Sequence, residues 1–231
     1  MKNINIKKLF KINDRGNSII LMASILLLYL LISVYFTNHF FFNTAINGAD
    51  VSLKACADAD DIIRSHIKDY KLQLIERSGE VEDIIGRDIG VQYNEKNSIS
   101  SIYHKKNSFE WIISLFKDQK YYVDDLYVYN KDNLDSKINE LNCLNKYIIE
   151  PQNVSFKYSN KSYEVIEEVY GNKIIKENLN KAIKISILKG ETKLDLNEKL
   201  CYENPKYTLS SDKTLETKSL LNKYIKTKWN S

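Results

Sequence analysis

Residues 17–38, NSIILMASILLLYLLISVYFTN, contain no charged residue, no Pro and no Gly. The apolar centre, 18–36, is nineteen residues. At ~1.5 Å rise per residue that makes about 28 Å of helix, and a bilayer hydrocarbon core is about 30 Å thick. One helix here can therefore cross a membrane, and the chain divides around it. Lys2, Lys7, Lys8, Lys11 and Arg15 precede it with one acidic residue, Asp14, and the next basic residue after it is Lys54. Positive charge is retained in the cytoplasm, so the sequence predicts an inside N-terminus and an exported remainder. Tyr35, Phe36, Phe40, Phe41 and Phe42 fit an aromatic belt at the outer interface. The competing reading is a cleaved secretory signal. Such signals have h-regions of about 7–15 residues ending at small residues, whereas this stretch is longer and bulky residues follow it. Either reading exports the chain.

The formal net charge of +4 belongs to the first seventeen residues. Beyond them, 29 basic and 29 acidic residues balance. A neutral exported region offers no electrostatic footprint for nucleic acid. With 7 Gly and 2 Pro, long flexible linkers are not expected. The 16 Tyr suit half-buried positions with a polar tip, or a surface for sugar rings. Cys56, Cys143 and Cys201 carry no Cys-x-x-C spacing and no neighbouring His, which disfavours zinc. Outside the membrane a bridge can persist, and Cys143 with Cys201 is the preferred pair. Three buried thiols is the alternative.

Periodicity predicts an α+β fold: a single transmembrane helix followed by a mixed region of hairpins and packed helices. Asn47-Gly48 marks a turn. A helix over 55–70 gathers Ala59, Ile62, Ile63, His66 and Tyr70 on one face, with His66 at the edge of a core. Tyr70, Leu72 and Leu74 alternate, and with 81–85 across Ser78-Gly79 they predict a hairpin. Residues 107–117 read as a helix with Phe109, Ile112, Ile113 and Phe116 inward, leaving Trp111 and Leu115 as candidate ligand contacts or as packing against another part of the chain. Residues 121–129 read as one strand, and Asn130 caps a helix with Leu134, Ile138 and Leu141 inward. Val154, Phe156 and Tyr158 face Tyr163, Val165 and Val169 in a second hairpin. A helix over 176–188 buries Leu179, Ala182, Ile183, Ser186 and Ile187 and stops at Gly190. A strand follows over 192–196. The last stretch places Leu220, Leu221, Tyr224 and Ile225 at helical spacing, an apolar stripe suited to a protein partner. The expected divisions are a cytoplasmic tail 1–17, an anchor 18–40, a membrane-proximal segment 41–80, an α+β domain 81–208 and a helical tail 209–231.

The order Pro151-Gln152-Asn153-Val154, Tyr163-Glu164-Val165-Ile166-Glu167-Glu168, Gly171, the helix with Leu179 and Ile183, and Pro205 resembles a known domain. It is the peptidoglycan-binding domain found beside VanW-like domains and ahead of the catalytic domain in YkuD-type L,D-transpeptidases. Residues 40–70, FFFNTAINGADVSLKACADADDIIRSHIKDY, and NSFEWI at 107–112 are similar to the N-terminal region of membrane-anchored transpeptidases of Gram-positive bacteria. The resemblance implies peptidoglycan as partner and the cell membrane as location. Those enzymes use a Cys nucleophile in Ser-His-Gly-Cys. Here the histidines are His39, His66 and His104, and the cysteines lie in Ala-Cys-Ala, Asn-Cys-Leu and Leu-Cys-Tyr. No catalytic residue, metal ligand or cofactor is therefore expected, and the chain reads as a short or truncated relative. Lys105-Lys106-Asn107 departs from the Gln expected before the Asn, and Ala55 from the usual Thr. Phosphate-loop, dinucleotide, zincin and nucleophile-elbow motifs are absent from the sequence. Glu167-Glu168 and Asp60-Asp61 read as solvated charges rather than paired glycosidase acids.

Overall fold

In the computed structural model, which describes residues 14–96, 99–160 and 162–229, the apolar stretch forms helix α1, Asp14–Tyr35. The charges at 1–13 from which orientation was read lie outside the described residues. Strands β1 (Thr44–Ile46) and β2 (Ala49–Asp50), helix α2 (Ala59–Lys68), and strands β3 (Lys71–Ile75), β4 (Val81–Ile85) and β5 (Gln92–Tyr93) follow. Next come α3 (Ser100–His104), a 3-10 helix at Ser108–Leu115, β6 (Gln119–Tyr121) and β7 (Tyr127–Val128). Helices α4 (Lys131–Asn139) and α5 (Asn142–Asn145), strands β8 (Ser155–Ser159) and β9 (Ser162–Ile166), then α6 (Lys176–Lys189), β10 (Lys193–Asp195) and α7 (Asp212–Trp229) complete the order.

The fold is α+β, as the periodicity requires, but its two compact units do not follow the linear divisions. One holds the chain up to His66 together with Glu95–Leu126; the other holds Ile67–Asn94 and the rest from Tyr127. Long-range parallel pairing is the cause, because such partners need a long crossover. In the first unit β1 turns back on β2 through Asn47-Gly48 and pairs in parallel with β6. Both turn residues have positive φ, 42° and 80°, the geometry of a two-residue hairpin turn. The buried Asn47 side chain accepts from Val123 N and donates to Val123 O. That clamp ends β6 and divides the predicted 121–129 strand, whose second half, β7, pairs with β5 in the other unit.

The second unit centres on β3, which lies between β4, antiparallel, and β10, parallel. Leu72, Leu74, Ile84 and Leu194 bury one face of this sheet. Helix α4 begins where Asn130 accepts from Asn133 N at 3.0 Å, and its Leu134 and Ile138 are buried, as is Leu141 beyond it. Helix α6 buries Leu179, Ile183, Ser186 and Ile187 and ends at Gly190 with φ 67°. The hairpin β8–β9 forms in the expected register, but its face is only half-buried. Gly171 accepts no side chain: its φ is 65°, and an added Cβ would come within 2.2 Å of Ile149 O.

Candidate ligand-binding cleft

The expected helix over 107–117 is a 3-10 helix, and that changes which residues face inward. Asn107 opens it by accepting from Phe109 N. At 3.0 residues per turn, Ser108, Trp111 and Ser114 align, and Trp111 and Ser114 are the buried residues. Phe109, Ile112, Ile113 and Phe116, expected in the core, are exposed. Trp111 is 8% exposed and is no surface contact for ligand. It packs on Phe36, 6.1 Å between ring centroids, and on Tyr29 at 5.7 Å. Its indole donates to Ser33 Oγ at 3.2 Å. Phe36 and Phe41 complete this cluster edge-on at 5.3 Å. Phe36, Phe40 and Phe41 are therefore buried in the first unit rather than lining a membrane belt. Leu115 remains exposed.

Between α3, the 3-10 helix and β6 lies a cleft of about 240 Å³, lined by Phe41, Ile102, Lys105, Lys106, Asn107, Glu110, Ile113, Gln119 and Tyr121. Drug-sized sites run to about 300–1,000 Å³, so this one fits a single ring or a short branch. Its floor is fixed. Lys106 Nζ donates to His39 O and lies 5.7 and 5.1 Å from the Phe40 and Phe41 rings. Burial lowers the Lys106 ammonium and, with Glu110 nearby, raises the Tyr121 phenol. Asn107 Nδ2 donates to Glu110 Oε1 at 3.2 Å. Apolar walls with an ammonium, a carboxylate and amides suit an amphipathic ligand carrying both charges. Sequence reasoning named none of the cleft residues as ligand contacts; Gln119 and Tyr121 arrive on β6, which reaches β1 through a pairing that spans more than seventy residues.

A second concavity, about 490 Å³, is lined by Glu76, Glu80, Val81, Glu82, Asn142 and Lys146. Its charges serve the fold. Lys146 Nζ sits 2.7 Å from the buried Glu76 and 2.5 Å from Glu80, and Glu82 accepts from Asn142 N at the start of α5. Burial alone would lower the Lys146 ammonium; the two carboxylates more than offset it and hold it above ordinary lysine.

The bridge between Cys143 and Cys201 is not formed; all three cysteines are buried free thiols. Burial raises Cys56, against the opposing Lys106. It pushes Cys143 to about 12, with Glu76 and Glu82 adding to it, and Cys201 to about 11, with Asp195 adding. A nucleophilic cysteine needs the opposite environment. His66 sits at the edge of the core, its Nε2 buried without a hydrogen-bond partner. Among the described residues no group of His, Cys, Asp and Glu is placed to hold a metal ion. Glu168 accepts from Leu209 N, and Asp60 and Asp61 lie in the first turn of α2, where acidic side chains complement the helix dipole.

Residues 85–195 match the family model described as "Putative peptidoglycan binding domain". The matched stretch, a little under half of the chain, runs from the last residue of β4 to the last residue of β10 and supplies every cleft residue except Phe41. No curated protein and no solved structure matches the chain. Gly16–Tyr35 is the one helix among the described residues long and apolar enough to cross a membrane, with a mean hydropathy of 2.4.

Proposed function

We propose that the chain is a single-pass membrane protein of the cell envelope that binds peptidoglycan without catalysis of its own. The observation carrying this reading is the match of residues 85–195 to a peptidoglycan binding domain. Its finer part is the likeness of the exported region to the non-catalytic half of Gram-positive L,D-transpeptidases. Three raised, buried thiols and the absence of Ser-His-Gly-Cys from the sequence support the non-catalytic part.

The anchor reading is favoured over a cleaved signal by the end of α1. Phe36 is 1% exposed in the core of the first unit, and Ser33 accepts from Trp111. Cleavage after the apolar stretch would remove both from the fold they complete. The N-terminus is then cytoplasmic and the remainder extracytoplasmic.

Peptidoglycan presents amino-sugar rings and peptide branches with free carboxylates and amines. The cleft answers with the ammonium groups of Lys105 and Lys106, the Glu110 carboxylate and the amides of Asn107 and Gln119. Purified full-length protein in detergent is expected to sediment with isolated sacculi. Lys105→Glu should weaken retention, while Lys218→Glu on α7 should not. No retention of the unaltered protein would end the reading. A protein partner on α7 is the second reading, favoured by its exposed Leu215, Leu220 and Tyr224; co-purification from detergent tests it.

A further inference from the structure

The 3-10 helix has three faces, because side chains three apart eclipse one another. One is the buried row of Trp111 and Ser114. The second, Glu110, Ile113 and Phe116, carries Glu110 and Ile113 to the cleft. The third is wholly apolar: Phe109, Ile112 and Leu115, exposed by 52, 47 and 44%. Exposed contiguous apolar rows mark surfaces that are covered by something.

What covers this row follows from where the helix is fastened. Tyr29 Oη donates to Phe109 O at 2.6 Å, and the two rings lie 6.3 Å apart. Trp111 Nε1 donates to Ser33 Oγ. Both attachments are on α1 itself, not beyond its end. Tyr29 and Ser33 precede Tyr35 by six and two residues, so they lie about 9 and 3 Å below the outer end of the helix at ~1.5 Å per residue. Helices that lie in a bilayer interface bury their apolar faces about 5–10 Å into the headgroup and acyl boundary. The depths agree. The exposed Leu28, Leu31 and Val34 of α1 extend the apolar surface at the same level.

We propose that Phe109, Ile112 and Leu115 insert into the outer leaflet beside α1, so that the exported region meets the membrane through two apolar elements rather than a single stalk. The occupant of this face is lipid acyl chain. Backbone polar groups that enter hydrocarbon must be satisfied internally; Phe116 N is bonded to Ile113 O and Glu110 N to Asn107 O within the turn. The inference rests on α1 spanning the membrane.

The test is spin labelling of the full-length protein in phosphatidylcholine vesicles at Ile112→Cys and, separately, Leu115→Cys. Both sites are exposed, and the native thiols are buried. Collision rates with oxygen and with a water-soluble nickel chelate are compared with Leu27→Cys on α1 and with the solvent-exposed Glu198→Cys. The expected result is oxygen favoured over nickel at 112 and 115, as at 27 and several-fold beyond 198. Nickel favoured at both, with the protein resisting alkaline carbonate extraction, overturns the inference and leaves the span intact. Loss of the protein to the carbonate wash overturns both.

Discussion

Arg77 joins more of the second unit than any motif residue does. Its guanidinium donates to Asn197 Oδ1 at 2.9 Å, Tyr170 O at 2.9 Å, Gly171 O at 3.1 Å and Asn204 Oδ1 at 2.6 Å. It also lies 4.3 Å from the Tyr202 ring. Hydrogen bonds involving a charged group contribute about 1.5–3 kcal/mol, less where, as in three of these four, the pair is exposed to water. Arg77→Ala should therefore destabilise by roughly 2–4 kcal/mol, with Arg77→Lys recovering little because the fork is lost. Urea unfolding followed by circular dichroism measures both. Nothing local in the sequence marks Arg77, since these partners lie 93 to 127 residues away. His66 was legible as a core-edge residue, and burial lowers its pKa. A lowered histidine folds neutral, so its contribution to stability is complete above the ordinary value near 6.5 and is lost as pH falls through the folded value. Stability should decline on acidification below about pH 6.5, and His66→Leu should flatten that slope in unfolding measured from pH 7.5 to 5.

At the scale of elements, the two hairpins and the capped helices α4 and α6 were legible because their signals are local. Alternation, turn residues, Asn130 and Gly190 each act within a few positions. The 3-10 helix was misread for a physical reason. An apolar-rich octamer satisfies period 3.6 and period 3 about equally, and the choice was made by Trp111 seating against α1. The same contact ties the last turns of α1 into the first unit. A chain begun at Asn43 loses Phe36, Phe40 and Phe41, each 6% exposed or less. Removing one buried aromatic side chain costs about 3–5 kcal/mol. That shortened chain should show a sharply lowered melting temperature or fail to fold, whereas a chain begun upstream of Tyr29 and held in detergent should melt cooperatively. Of the aromatic belt inferred from sequence, Phe36, Phe41 and Phe42 gather around Trp111, Phe40 packs on Tyr103, and Tyr35 stays exposed.

For the whole molecule, family resemblance and folding unit differ in extent. The match opens at the end of β4 and closes with β10, yet the strand between those two in the sheet is β3, upstream of the match. Residues 85–195 produced alone should remain unfolded or aggregate, by circular dichroism and size exclusion, because β10 would have no strand to join. The sequence could not show this, as no local pattern records which strand a three-residue segment will accompany.

The pairing of β3 with β10, residue 73 with residue 193, also sets a timetable for biogenesis. A chain that emerges N-terminus first delivers the β3–β4 hairpin long before β10 arrives. One bare edge of β3 must wait out the passage of more than a hundred residues, and such non-local closures are slow. A chaperone or foldase that shields strand edges would act in that interval, and the yield of native protein would be set there.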